Sequence, residues 1–273
     1  MAYATLPDRG LLAVGGEDRI AFLQGLVSND VLKLARQGIL YAALLTPQGK
    51  FLHDFFLMER DGAVWIDADA ARLEDLLQRL TRYRLRSKVS FERMDNYGVA
   101  AVWDKDAPAA AGGVVVYRDP RLTSMGYRMI GPKDALPQRG QDDYESHRIA
   151  LGVPQGGSDL IPDKSFILHF GFEALHGVDF NKGCYVGQEV TARSKHLGRL
   201  RKAVYRVEGD TALPAAGTAV HRGNIAAGEL RSVKGTLGIA LLNIEEVEKP
   251  AALRCGDVPI RVSVPEWMTP EKQ

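Results

Sequence analysis

Apolar residues at Ile20, Leu23, Leu26 and Val27 recur at helical spacing behind Glu17-Asp18, and predict a short amphipathic helix with an acidic first turn. Residues 39–45 read as a strand, closed by a Thr46-Pro47-Gln48-Gly49 turn in which Pro fixes one torsion and Gly permits an unusual one. Residues 50–58 continue as a second strand, so the pair predicts a hairpin. Asp61-Gly62 turns the chain into a third strand over 63–67. Ala70, Leu73, Leu76, Leu77 and Leu80 then return to helical spacing. Three strands followed by a helix argue an α+β fold with an antiparallel sheet.

Further along, short strands are expected around Val89, Val99, Val114 and Tyr127, with a surface loop over 107–113. A helix is predicted over 142–151, stopped by Gly152 and Pro154, and residues 155–165 read as a loop rich in Gly, Pro and Asp. After Arg199 the texture changes. Apolar stretches at 203–207, 237–242 and 258–264 alternate with turns, and predict a small C-terminal β-barrel or sandwich. The expected organisation is therefore a core over 1–198 and a β domain over 199–273. The basic run 197–202 lacks interleaved aromatics and reads as a linker.

Charge narrows the partners. The 35 basic and 34 acidic residues nearly cancel, so no global field suits nucleic acid or an anionic membrane, and any anion must be caught by a local cluster. One such cluster is Arg79, Arg82, Arg84, Arg86 and Lys88. It reads first as a solvated helix end that complements the dipole, and second as an anion-facing group. No apolar stretch reaches spanning length, and neither direct nucleic-acid nor membrane partners are expected. The first ten residues lack a secretory or transit pattern, which sets a cytoplasmic expectation. Two cysteines, Cys184 and Cys255, exclude a four-cysteine zinc site or a cluster held wholly by this chain, and the histidines form no metal-spaced pair.

Chemistry concentrates around Cys184. Gly183 and Gly187 bracket it, Lys182 adds a cation, and Gln188 opens an expected helix whose positive end favours a thiolate. Spacing alone leaves open whether the thiol is reactive or a small filler beside a turn. Glu189 and Arg193, four apart, either pair on one helix face or read a ligand: the carboxylate an amino-pyrimidine edge, the guanidinium a carboxylate tail.

The segment Lys182-Gly183-Cys184-Tyr185-Val186-Gly187-Gln188-Glu189, with Arg193, resembles the signature K-G-C-[YF]-x-G-Q-E-x-x-x-R of the YgfZ family. Phe22-Leu23-Gln24-Gly25-Leu26-Val27-Ser28-Asn29-Asp30 resembles the F-L-Q-x-x-x-[ST]-N-D segment shared with the glycine-cleavage T-protein. Residues 49–54 resemble its hairpin, and 148–154 its R-[IL]-x-x-G-[IV]-P stretch. Gly228, Ser232, Gly238 and Ala240 resemble the pattern of its tail. The resemblance covers most of the chain. It implies a T-protein-like fold, two intertwined α+β portions around a central tetrahydrofolate cavity with a C-terminal β-barrel. It also implies a role in iron–sulfur cluster assembly or repair, late and on four-iron clusters in mitochondrial relatives, with iron–sulfur client or assembly proteins as partners. By the same resemblance Cys184 and Lys182 form the reactive pair, with Cys184 a transient cluster ligand. Tyr185, Gln188, Glu189, Arg193, Asp54 and Arg148 are the expected folate contacts. Two departures, Ala150 where the T-protein carries an acid and His53 where it pairs aspartates, weaken aminomethyl transfer as the activity. That enzyme is the second reading, and an interaction scaffold using neither folate nor thiol the third.

Overall fold

Two strands that the apolar pattern leaves unmarked open the chain, β1 (Ala2–Thr5) and β2 (Arg9–Gly15). They are followed by α1 (Arg19–Gln24) and α2 (Leu34–Gln37), then β3 (Ile39–Leu45), β4 (Phe51–Arg60), β5 (Ala63–Asp69) and α3 (Leu73–Arg84). Next come β6 (Ser90–Arg93), β7 (Tyr97–Trp103), β8 (Val115–Arg118), β9 (Tyr127–Pro132), α4 (Asp142–Ala150) and α5 (Gln188–His196). The C-terminal part holds β10 (Lys202–Gly209), β11 (Ala219–Arg222), β12 (Ile225–Lys234), β13 (Leu237–Asn243), α6 (Ile244–Glu248), β14 (Leu253–Cys255) and β15 (Val258–Ser263). The computed structural model describes residues 2–103, 106–138, 142–196, 198, 200–250 and 252–269. Leu197 and Arg199, at the expected domain boundary, lie outside the described residues.

The strands assemble as β3-β4-β5-β2-β6, as β1-β7-β9-β8, and as a closed barrel β10-β13-β12-β11-β14-β15, with every pairing antiparallel. The fold is thus α+β with a closed six-stranded C-terminal barrel. The first ten residues explain the intertwining: β1 joins one sheet and β2, four residues later, the other.

In β3 both faces are buried. Ile39, Tyr41, Ala43 and Leu45 enter the core shared by the two sheets, while Leu40, Ala42 and Leu44 enter the core beneath the helices. Successive strand side chains alternate faces, so a doubly covered strand reads as an unbroken apolar run. α3 supplies Leu73, Leu76 and Leu80 to that second core.

Charge also ties the two sheets. Asp67 on β5 is fully buried and accepts from Arg9 of β2 at 2.7 Å and from Arg128 of β9 at 3.0 and 2.5 Å. Burial works to raise the Asp67 pKa, but the two guanidiniums override it and hold the carboxyl below its usual range. Arg128 lies 3.9 Å from the centroid of the Phe56 ring, so its planar group is packed as well as paired.

Candidate functional site

Two segments 150 residues apart in sequence build one site. Ser28 donates to the Gly177 carbonyl at 2.6 Å and accepts from the Ala43 amide at 2.8 Å. The Asn29 amide donates to the carbonyls of Tyr41 and His176, each at 2.7 Å. Lys182 completes the joint: its ammonium donates to the carbonyls of Gln24 at 2.8 Å, Val27 at 2.5 Å and Asn29 at 2.8 Å. An ammonium has three protons, and all three are used. Burial pulls the Lys182 pKa down to about 8. Lys182 therefore pins the loop that carries Cys184 to the Ser-Asn-Asp segment, and its protons are committed to that task.

Gly187 has φ +84°, and a Cβ there would stand 2.5 Å from the Thr46 carbonyl. Only glycine lets the loop settle onto the 46–49 turn. Gly183 differs. Its φ is ordinary and an added Cβ would meet nothing within 4 Å, so this glycine leaves open space beside the thiol rather than closing a turn. Cys184 is exposed; Cys255 is buried in the barrel, and both thiols are free. Burial raises the Cys255 pKa, as expected of an inert packing thiol.

The remaining expected folate contacts do not converge. Gln188 turns back to accept from the Tyr185 amide at 3.2 Å, capping the start of α5. Tyr185 is buried, its ring centroid 5.0 Å from the Lys182 ammonium, and burial pushes its phenol up to about 12. Glu189 and Arg193 are both exposed and make no pair with each other among the described residues.

Arg148 corrects the expectation outright. Its five N–H donors go to Glu145 twice, to the Val153 carbonyl, to Asp159 and to Ser232, at 2.8–3.0 Å, which leaves none for a ligand. Its bond to Ser232 fastens α4 to β12 of the barrel. Asp54 is also sealed. It accepts from the Tyr41 hydroxyl at 2.8 Å and the Gly156 amide at 3.3 Å, beside an internal space of about 10 Å³, roughly one water. A Cβ on Gly156 would fall 1.8 Å from Asp54, so this glycine of the 155–165 loop serves that contact.

His53, next to Asp54, is 2 % exposed and 2.9 Å from Asp75. Burial dominates, and together with Arg72 it overcomes the Asp75 carboxylate and lowers the His53 pKa from 6.5 to about 4. The unfolded chain takes up this proton near pH 6.5 and the folded chain only near pH 4. Stability is therefore complete above the upper value and is lost as pH falls through the window, by about 3 kcal/mol. Urea unfolding should show that loss in wild type and its absence in His53→Gln; equal losses would contradict the neutral ring.

A space large enough for a pteridine lies elsewhere. A cavity of about 810 Å³ has Tyr41, Asp119 and Arg121 among its lining, Leu122 and Val178 as apolar contacts, and Lys33 and Arg118 among its cations. Sequence reasoning missed Lys33, Arg118 and Arg121, because nothing in their local spacing says that one opening gathers them. Among the described residues, no group of three His, Cys, Asp or Glu side chains is placed to hold a metal ion.

This arrangement of two interlocked sheets capped by a barrel is that of the aminomethyltransferases: the glycine cleavage system aminomethyltransferase T from Bartonella henselae superposes with a TM-score of 0.77 over 96% of this chain and 85% of that one, at 14% identity. Residues 201–270 match the CAF17 C-terminal beta-barrel domain. The mitochondrial iron-sulfur cluster assembly factors IBA57 of Mus musculus and Homo sapiens are each 33% identical, over 96% of this chain and 84% of their own length. The chain belongs to the IBA57 family of iron–sulfur cluster assembly factors. These mitochondrial relatives overturn the cytoplasmic expectation, which rested only on the composition of the first residues.

Proposed function

We propose that the chain acts in the assembly or repair of iron–sulfur clusters in client enzymes, with Cys184 as the thiol that meets the cluster. The observation that carries the site is an exposed thiol on a loop pinned by a buried lysine, with open space at Gly183 for an approaching group. As a ligand, Cys184 gives up its proton and donates a sulfur lone pair to iron. One thiol cannot complete a cluster, so the other ligands come from a partner protein, a second chain or a small thiol.

Tetrahydrofolate belongs to the same proposal, at a different place from the one the motif implies. The cavity of about 810 Å³ lies within the usual range for a ligand of this size. Arg118, and Lys33 shared with its partner Asp179, would hold the glutamate carboxylates, and Leu122 and Val178 would line the pteridine. When bound, the folate would supply one-carbon or reducing chemistry, while the chain orients it and excludes water.

The test is rescue of cells lacking their own family member. The activities of enzymes containing four-iron clusters should return with the chain; no recovery removes the assembly role. Titration calorimetry with tetrahydrofolate separately tests the cavity: heat should appear with wild type and vanish with Lys33→Glu/Arg118→Glu. Absence of heat with wild type removes the folate part alone.

A further inference from the structure

The basic run at the end of α3 takes no part in the site above. Residues 81–86 are exposed without interruption. Over residues 79–88 the cations are Arg79, Arg82, Arg84, Arg86 and Lys88, and no acid intervenes. Arg79 is paired with Asp75, and Lys88 with Glu17. Arg82, Arg84 and Arg86 have no ion pair among the described residues, so their charge is open to an anion as well as to water.

An apolar tip stands among them. Leu85 is 87% exposed and Tyr83 38%. Leu85 also has φ 44° and ψ −109°, a backbone conformation that a side chain with a Cβ disfavours. The flanking chain imposes it. Ser87 donates to the Arg84 carbonyl at 2.8 Å, and the Lys88 amide donates to the Asp18 carboxylate at 2.7 Å. The turn is thus anchored at its base to the start of α1 and presents one leucine outward.

We propose that this turn docks on an anionic lipid surface, with Leu85 entering the headgroup–acyl boundary, Tyr83 at headgroup depth, and Arg82, Arg84 and Arg86 on lipid phosphates. Area decides between this and a protein partner. A stable protein interface buries about 800 Å² on each side, roughly half or more of it apolar, whereas the apolar part of this turn is a single leucine and the edge of a tyrosine. A lipid surface needs no matching pocket, and cations flanking one apolar tip suit its charge and polarity gradient. The chain as a whole is nearly neutral, so attraction depends on this cluster.

Flotation of the whole chain with vesicles tests it, using phosphatidylcholine alone and phosphatidylcholine with about a third phosphatidylglycerol. Wild type should float only with the anionic vesicles, and less as salt is raised. Each arginine near such a surface contributes roughly fivefold, so R82Q/R84Q/R86Q should lose about a hundredfold. Leu85→Ala should lose roughly tenfold through the missing apolar contact. Leu85→Gly should bind as weakly yet melt higher than wild type, because glycine accepts the positive φ; this separates lost contact from lost fold. Wild type that ignores anionic vesicles, or either the triple or the Leu85→Ala variant binding like wild type, overturns the proposal.

Discussion

Cys184→Ser should abolish the recovery of iron–sulfur enzyme activities in cells that depend on this chain, while its melting temperature stays within about 1 °C of wild type. The two halves have one cause. The thiol is exposed and free, so the fold gains little from its sulfur, and a hydroxyl fits the same space. Iron takes thiolate sulfur far more readily than a serine hydroxyl. Activity that survives with an intact fold would remove the thiol from the proposed role. Activity lost together with a large drop in melting temperature would make Cys184 a packing residue, the alternative that spacing left open.

The second large effect is on stability. Asp67→Asn should cost about 3–5 kcal/mol, which lowers the melting temperature by roughly 6–10 °C. The carboxylate is fully buried between Arg9 and Arg128, from different sheets. An amide has nearly the same shape but no charge, and its NH2 meets a donor where an acceptor is needed. Arg9 then loses its ion-pair partner and Arg128 keeps only Asp119 at 3.9 Å, so buried charge is left poorly compensated, and that is the expensive condition. A change under about 1 kcal/mol would mean that packing around Phe56, not charge, joins the sheets. Thermal or urea unfolding measures it directly.

Lys182 shows how a motif residue can be found from sequence and still be given the wrong task. Its place beside Cys184 suggests a cation that activates a neighbour. The structure spends its three protons on carbonyls that come from residues 24–29. Arg148 follows the same pattern: the motif marks it, and the fold consumes all of its donors, one of them in joining α4 to the barrel. In both cases the sequence identifies a residue that needs a defined partner, and only folding says which partner that is.

What the sequence alone determined is the local order. Apolar spacing set β3, β4, β5 and α3, the glycine at 187 marked a backbone turn, and the change of texture near residue 200 announced the barrel. These follow from forces that act over a few residues: side-chain alternation, torsional limits and local burial. Tertiary structure alone decided that β1 and β2 split between two sheets, and that Asp67 draws one arginine from each. It also sealed Asp54 behind Tyr41 and Gly156 and gathered Lys33, Arg118 and Arg121 around an open cavity. Such pairings join residues tens to more than a hundred positions apart. Their energies depend on burial and on who else is near, quantities that no local window of sequence contains.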